Sequence, residues 1–168
     1  MGCQINLLNS TLMNQMKNYL FLTACIPFMV FHTHAIGSLT KEQLDAQKMA
    51  LSEAVVSTPY SAIVKHTDVE VLPVPDDETS SKHVYHADVI ETIRGKKRNN
   101  IRYVMYVHHD EEAIVDDTPV IITLCEDHEA HYWPGSGSEF EANSTLTEVA
   151  KASAANIAKD QVQFSHCP

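Results

Sequence analysis

This chain has no apolar run of about 20 residues, the length that a transmembrane helix needs. It also lacks a glycine-rich phosphate loop and the strand-to-helix Gly-x-Ser-x-Gly turn of many serine hydrolases. Basic residues are scarce, with 12 Lys and Arg against 22 Asp and Glu and a formal net charge of −10. These features argue against a membrane-spanning helix and phosphate-loop chemistry. Because like charges repel, they also argue against binding to nucleic acid or anionic lipid.

The longest apolar stretch lies near the N-terminus and has the layout of an export signal. Lys17 precedes 13 largely apolar residues from Tyr19 to Phe31, and a short polar segment follows. Thr33 and Ala35 are small enough for the two side-chain pockets of a signal peptidase. The pattern predicts a signal peptide over residues 1–35 and a secreted or periplasmic protein without a membrane span after cleavage.

Two other interpretations of this segment stay open. An uncleaved anchor would need a longer apolar run, and Pro27 interrupts this one. The residues ending in Cys25 resemble a lipobox, in which that cysteine would carry the lipid. The apolar run continues beyond Cys25, whereas an apolar core would normally stop before a lipidated cysteine. Translation starting at Met13 or Met16 would also leave a signal of ordinary length.

The remainder, residues 36–168, has the size of one domain. Thr40 and Gln43 form a capping-box pattern before a helical stripe, which predicts a helix near 41–56. A similar stripe, with Thr145 and Glu148 as a second capping box, predicts a helix near 145–158.

Between the two helices the apolar period changes to two, which predicts strands. The polar stretch 76–82 predicts a mobile loop, and 95–100 predicts a turn that carries most of a basic cluster. That cluster is interpreted as a solvated hairpin turn, with an anion site as the alternative. No strand alternates with a crossover helix. The fold class is therefore predicted as mainly β, α+β, a small antiparallel barrel with flanking N- and C-terminal helices.

Cysteine usage agrees with export. Cys3 and Cys25 would leave with the signal, so Cys125 and Cys167 remain, and two cysteines in an exported chain usually pair. The sequence therefore predicts a disulfide between Cys125 and Cys167, which would tie the C-terminal residues to the sheet.

One stretch resembles a known family. Residues 84–96, from Val84 through Glu91 to Lys96, resemble the "V-x-V-x-E-x-x-K-G" hairpin strand of small secreted OB-like domains related to the N-terminal domain of tissue inhibitors of metalloproteinases. The resemblance covers roughly residues 60–140 and implies an OB-like barrel. Residues 125–140 are also similar to a segment of uncharacterised exported bacterial proteins. True inhibitors begin with a metal-binding cysteine. Ile36 and its neighbours supply none, so that mechanism is not expected here.

Histidines suggest a metal, and zinc would suit them. Three groups place imidazoles near carboxylates or a thiol: His83 with His86, His108 and His109 with the acidic residues 110–112, and Cys125 with His128 and His131. The candidate metal ligands are His83, His86, His128 and His131. On an extended strand His83 and His86 point to opposite faces, which argues against a shared ion. Scattered surface histidines are the alternative, in which case no cofactor is expected.

The loop 132–140 offers the remaining candidates. Ser136 and Ser138 lie in a glycine-rich turn near His131 and Glu139, and Tyr132, Trp133 and Phe140 are candidate binding residues. One of Tyr132 and Trp133 is expected in the core and the other on the surface. The leading hypothesis is an exported, non-enzymatic binding module for a protein or small ligand. An envelope metal-binding protein and a serine hydrolase are the alternatives.

Overall fold

The structure, a computed structural model, describes residues 40–128, 130–135, 137–158 and 160–167. The predicted signal peptide, with its cleavage site and Cys25, lies outside the described residues, and so does Ser136.

The first helix, α1, spans Lys41–Ser57 and confirms the predicted helix. Thr40 accepts a hydrogen bond from the backbone N–H of Gln43, and the Gln43 side chain accepts one from the Thr40 N–H, so both halves of the capping box are present. The helix ends at Ser57, and Thr58 has an extended backbone. Pro59 follows Thr58, and the residue before a proline disfavours the helical conformation.

In the part of the chain that the structure describes, six strands follow α1 and lie in one sheet, which confirms the mainly β class. They pair in the order β1-β2-β3-β5-β4-β6, and β1 also pairs with β4, so the first five strands form a closed circuit of neighbours. The strands are β1 (Tyr60–Val74), β2 (Asp77–Arg94), β3 (Asn100–His108), β4 (Val120–Glu126), β5 (His131–Tyr132) and β6 (Glu139–Glu141).

The sheet is not wholly antiparallel, which corrects the sequence expectation. β3 and β5 pair in parallel through Tyr103 with His131 and Val104 with Tyr132, whereas the other pairs are antiparallel. The reason is geometric. Strand directions cannot alternate all the way round a circuit of five, so one neighbouring pair must run the same way.

The predicted mobile loop at 76–82 was wrong. Only Pro75 and Asp76 turn the chain, and residues 77–82 open β2, where Ser81 pairs with Pro73 on one side and Val107 on the other. These residues are polar, so they give no apolar alternation from which a strand could be predicted. They form a strand because they pair with β1 on one side and with β3 on the other.

Two clusters of buried residues lie on opposite faces of the strands. Alternate side chains of β1 separate them, because Ala62 and Val64 face the inside of the circuit while Ile63 faces the helices. Inside, Tyr60, Tyr85 and Tyr103 belong to the first cluster. The second joins Leu51 and Val55 of α1 to Ile121 of β4 and to Leu146 and Ala150 of the second helix.

The second helix, α2, spans Ser144–Ala155 with Asn143 as its N-cap, so Thr145 of the predicted capping box lies inside the helix. The Asn143 side chain accepts a hydrogen bond of 2.9 Å from the Leu146 N–H. The predicted end at residue 158 was three residues too late. Ile157 packs against the helix-side cluster from beyond the last turn, so its place in the apolar stripe does not require a helical backbone.

The predicted disulfide is present, with the Cα atoms of Cys125 and Cys167 5.5 Å apart. It fixes the C-terminal segment beside the end of β4. Among the described residues, neither helix has the combination of length and hydrophobicity needed to cross a bilayer.

Candidate functional site

A pocket of about 570 Å³ opens at one end of the strand circuit. This volume is in the range of small-molecule sites. We call this region the pocket end. Its walls come from four strands, from the loop 109–119 and from the segment 133–141, and the strands contribute His66 of β1, His83 and Tyr85 of β2, Met105 of β3 and Val120 of β4.

An aromatic stack runs from the pocket wall into the interior. The rings of Tyr85 and Tyr103 are stacked with centroids 5.4 Å apart, and those of Tyr103 and Trp133 with centroids 6.1 Å apart. The Trp133 N–H donates to the Val104 carbonyl at 2.9 Å, which holds the start of this segment against β3. Tyr85 and Trp133 therefore present a fixed aromatic surface to the pocket.

His66 contributes a neutral imidazole to this wall. It is 8% exposed, and its Nε2 lies 2.7 Å from the Tyr103 hydroxyl. Burial lowers the pKa of His66, with nearby Asp116 partly offsetting this effect. Burial also raises the pKa of Tyr103, so the hydroxyl stays protonated at neutral pH. The pair is a hydrogen bond between uncharged groups.

His83 also lines the pocket, and its position is unusual. The residue is 2% exposed, and among the described residues its Nε2 is buried without a hydrogen-bond partner. An imidazole nitrogen in that state costs free energy unless a partner arrives from the pocket.

The charged residues of the pocket lining are all acidic among those that the structure describes. They stand around the mouth, on the loop and on β6: Glu111, Glu112, Asp116, Glu139 and Glu141. Burial raises the pKa of Glu139, and the charge of Asp116 adds to the rise, although part of the Glu139 side chain reaches solvent. The side-chain and backbone hydrogen bonds of Thr118 lower the pKa of Asp116.

The opposite end of the circuit is the disulfide end, where the Cys125–Cys167 bond holds the C-terminal segment. We define it by Tyr60, Arg94, Cys125, His131 and the C-terminal residues 161–167. The rings of Tyr60 and His131 meet edge to face at 5.1 Å, and burial lowers the pKa of His131. The nearby turn depends on Gly95, with φ +90°, since a Cβ there would lie 2.9 Å from the Tyr60 ring.

The basic cluster of residues 94–102 lies at the disulfide end. Arg94 donates to the carbonyls of Val55 and Val56, and Arg98 pairs with Glu126 at 3.1 Å. The other three basic side chains are exposed: Lys96, Lys97 and Arg102. Two of the five basic residues, Arg94 and Arg98, therefore contact other segments of the protein.

The four histidines proposed as metal ligands are not brought together. His83 is buried in the pocket wall, whereas His86 is half-buried on the other face of β2, with its Nε2 2.8 Å from Glu70. His128 is exposed, and His131 is buried against Tyr60. Within the described ranges, the three donors that approach within 4.8 Å of one another belong to the exposed residues His108, His109 and Asp110.

The proposed binding residues divide between two environments. Trp133 and Phe140 line the pocket, whereas Tyr132 pairs with Val104 and Cys125 in β5 and lies outside the lining. Both Tyr132 and Trp133 are half-buried, so neither is wholly core or wholly surface. Ser138 is 3% exposed, and its carbonyl accepts the Thr123 N–H.

The sequence reasoning missed most of the pocket lining. The lining residues His66, Tyr85 and Met105 are on three strands, and only the pairing of those strands puts their side chains on one inner face. The signal was available in part. Tyr85 and Ala87 alternate with polar residues, and extending that alternation to β1 and β3 would have selected Val64, His66 and Tyr103 as inward.

Comparisons of this chain with protein-family models, with curated proteins and with solved structures found no match. The case for function therefore depends on the pocket itself.

Proposed function

We propose that this protein is an exported, non-enzymatic binding module that takes a small ligand in the pocket. One observation carries the proposal. One end of the strand circuit has a pocket of about 570 Å³ whose wall includes the rings of Tyr85 and Trp133, both stacked on Tyr103. A concave surface that combines apolar and aromatic side chains with inward polar groups is typical of small-molecule sites.

The architecture proposed for the module is a small OB-like barrel. The closed circuit of five strands and its single parallel pair support a barrel of that kind, and the hairpin of β2 and β3 contains the residues that resemble the metalloproteinase-inhibitor family. The open end of a small barrel is a common place for a ligand.

Export is part of the same proposal. The signal-like segment motivates it, and the Cys125–Cys167 disulfide supports it, because such bonds persist mainly in oxidising compartments.

The proposal is tested by a fragment screen of the purified protein followed by two-dimensional ¹H–¹⁵N NMR. Fragments that bind should shift the indole signal of Trp133, the single tryptophan of the chain, together with backbone signals near His66 and Tyr85. The Trp133→Ala variant should lose this binding, because the exposed end of the aromatic stack is removed. It should remain folded, since Trp133 is only half-buried.

The matched control is Tyr132→Ala, which removes an adjacent half-buried aromatic side chain from outside the pocket lining. This variant should bind the same fragments with unchanged affinity. Fragments that bind Trp133→Ala as well as the unaltered protein, or shifts confined to the disulfide end, would contradict the proposal.

A further inference from the structure

We infer that the ligand of the pocket is a protonated organic amine, with its hydrocarbon part against Trp133 and Tyr85 and its ammonium group beside His83 and the mouth carboxylates. This inference rests on the proposed function and adds the chemical class of the ligand.

The charge of the lining supplies the first argument. Its carboxylates come from two separate chain segments, the loop 109–119 and β6, and the described part of the lining has no lysine or arginine. A cleft lined by one sign of charge, with protein walls of low dielectric constant, concentrates ions of the opposite sign.

The aromatic wall supplies the second argument. An ammonium group near the face of a tryptophan or tyrosine is attracted by the ring quadrupole, and the attraction is strongest where water is excluded. The same rings cover the apolar part of an organic amine. A bare metal ion would not use this surface. In the described part of the chain, the lining also does not bring three donors within metal-binding distance of one another.

His83 is the third and most specific element. Its buried Nε2 lacks a partner among the described residues, and its ring lies 6.3 Å from that of Tyr85. A cation in the pocket favours the tautomer with the lone pair on Nε2, which then accepts a hydrogen bond from an N–H of the ligand. A primary or secondary ammonium has such a hydrogen, and a quaternary ammonium does not.

The inference is tested by titrating the purified protein with three probes of similar shape, 2-phenylethylamine, 2-phenylethanol and 3-phenylpropanoate. Fluorescence excited at the indole reports only on Trp133. We expect the amine to bind about tenfold or more tightly than the alcohol, and the carboxylate to bind most weakly. The amine's advantage should shrink as salt is added, because the mouth carboxylates are partly exposed.

The double variant Glu112→Gln and Glu139→Gln should lower the affinity for the amine about fivefold to tenfold and leave that for the alcohol unchanged. The matched control is Glu53→Gln on α1, an exposed carboxylate outside the pocket. Equal loss of amine affinity in the control would show that net charge, not the pocket, attracts the cation, and would overturn the inference.

The role of His83 is tested with the N,N,N-trimethyl derivative of 2-phenylethylamine. The unaltered protein should prefer the primary amine, and His83→Phe should remove that preference while retaining affinity for 2-phenylethanol. A quaternary probe that binds the unaltered protein as tightly as the amine would overturn the assignment to His83.

The outcomes separate the two proposals. If the alcohol or the carboxylate binds as tightly as the amine, the ligand class is wrong and the binding module stands. If none of the probes, nor any fragment of the screen, changes the Trp133 signal, both proposals fail.

Discussion

The two ends of the strand circuit differ in what surrounds their polar groups. At the disulfide end, Arg94 donates to two carbonyls of α1 and to Gln161, whereas the Tyr60 hydroxyl and His131 Nε2 are buried without a hydrogen-bond partner among the described residues. At the pocket end, His83 keeps a buried nitrogen without a partner among the described residues, and acidic side chains stand together without a basic neighbour in the lining. Both ends therefore contain buried polar atoms without hydrogen-bond partners among the described residues, but only His83 Nε2 belongs to a residue that lines the pocket.

This difference follows from what covers each end. The C-terminal residues reach the disulfide end, where the Cys167 disulfide and the contact between Ser165 and Ser57 hold them. The pocket end is bordered by the loop 109–119, which has turns but no helix or strand between β3 and β4. Changes at the two ends should therefore have separable effects on stability and on binding.

The largest effect is expected from removing the disulfide. Replacing Cys125 and Cys167 by alanine should lower the free energy of unfolding by about 4 kcal/mol, because the bond closes a chain segment whose ends are 42 residues apart. Denaturant unfolding monitored by circular dichroism measures this change. The affinity of the pocket should not change under conditions where the variant is folded.

Reduced, unaltered protein is the control, since it keeps both side chains and loses only the bond. It should unfold at nearly the same denaturant concentration as the double variant. If oxidised and reduced protein were equally stable, the disulfide would not stabilise the fold.

A smaller effect is expected from Arg94→Lys. Arg94 donates at 2.6 Å to the Val55 carbonyl and at 2.9 Å to Gln161, and its guanidinium lies 4.9 Å from the centre of the Phe164 ring. Lysine cannot span these groups with a planar fork, so we expect a loss of about 2 kcal/mol in unfolding free energy. Thermal and denaturant unfolding both measure it.

Arg102→Lys is the matched control, since Arg102 is an exposed arginine of the same cluster. It should unfold like the unaltered protein. Equal destabilisation by the two changes would mean that Arg94 does not hold α1 and the C-terminal segment in place.

The smallest effect is a pH dependence shared by the two ends. Burial lowers the pKa of both His66 and His131 in the folded protein. In the unfolded chain they titrate near the usual value of about 6.5, so the unfolded state binds more protons just below that pH. The free energy of unfolding should fall as the pH drops through this range and level off below the folded-state pKa values. A series of denaturant titrations at different pH values measures the slope.

The variants His66→Gln and His131→Gln show how much each histidine contributes to the slope of unfolding free energy against pH, because each removes one titrating imidazole. Asp116 faces His66, whereas Glu126, Asp127 and Arg98 act on His131, so the two contributions should respond differently to salt. A slope unchanged by both substitutions would contradict the assignment.

Local signals in the sequence predicted the local structure well. The capping box of Thr40 and Gln43 places the start of α1, and the two cysteines of residues 36–168 are the disulfide partners. The polar start of β2 escaped prediction because its strand conformation comes from pairing with β1 and β3 rather than from its own side chains. The parallel pair of β3 and β5 escaped for a related reason, since it follows from closing the circuit.

The sequence by itself determined the mainly β class, the first helix, the disulfide partners and the acidic character of the protein. Each depends on neighbouring residues, on the hydrophobic period or on composition. Only the tertiary structure decided that His66, His83, Tyr85, Trp133 and Glu139 surround one pocket while His86 and His131 lie elsewhere. Those residues are far apart in the chain, and strand pairing and register determine which of them share a face.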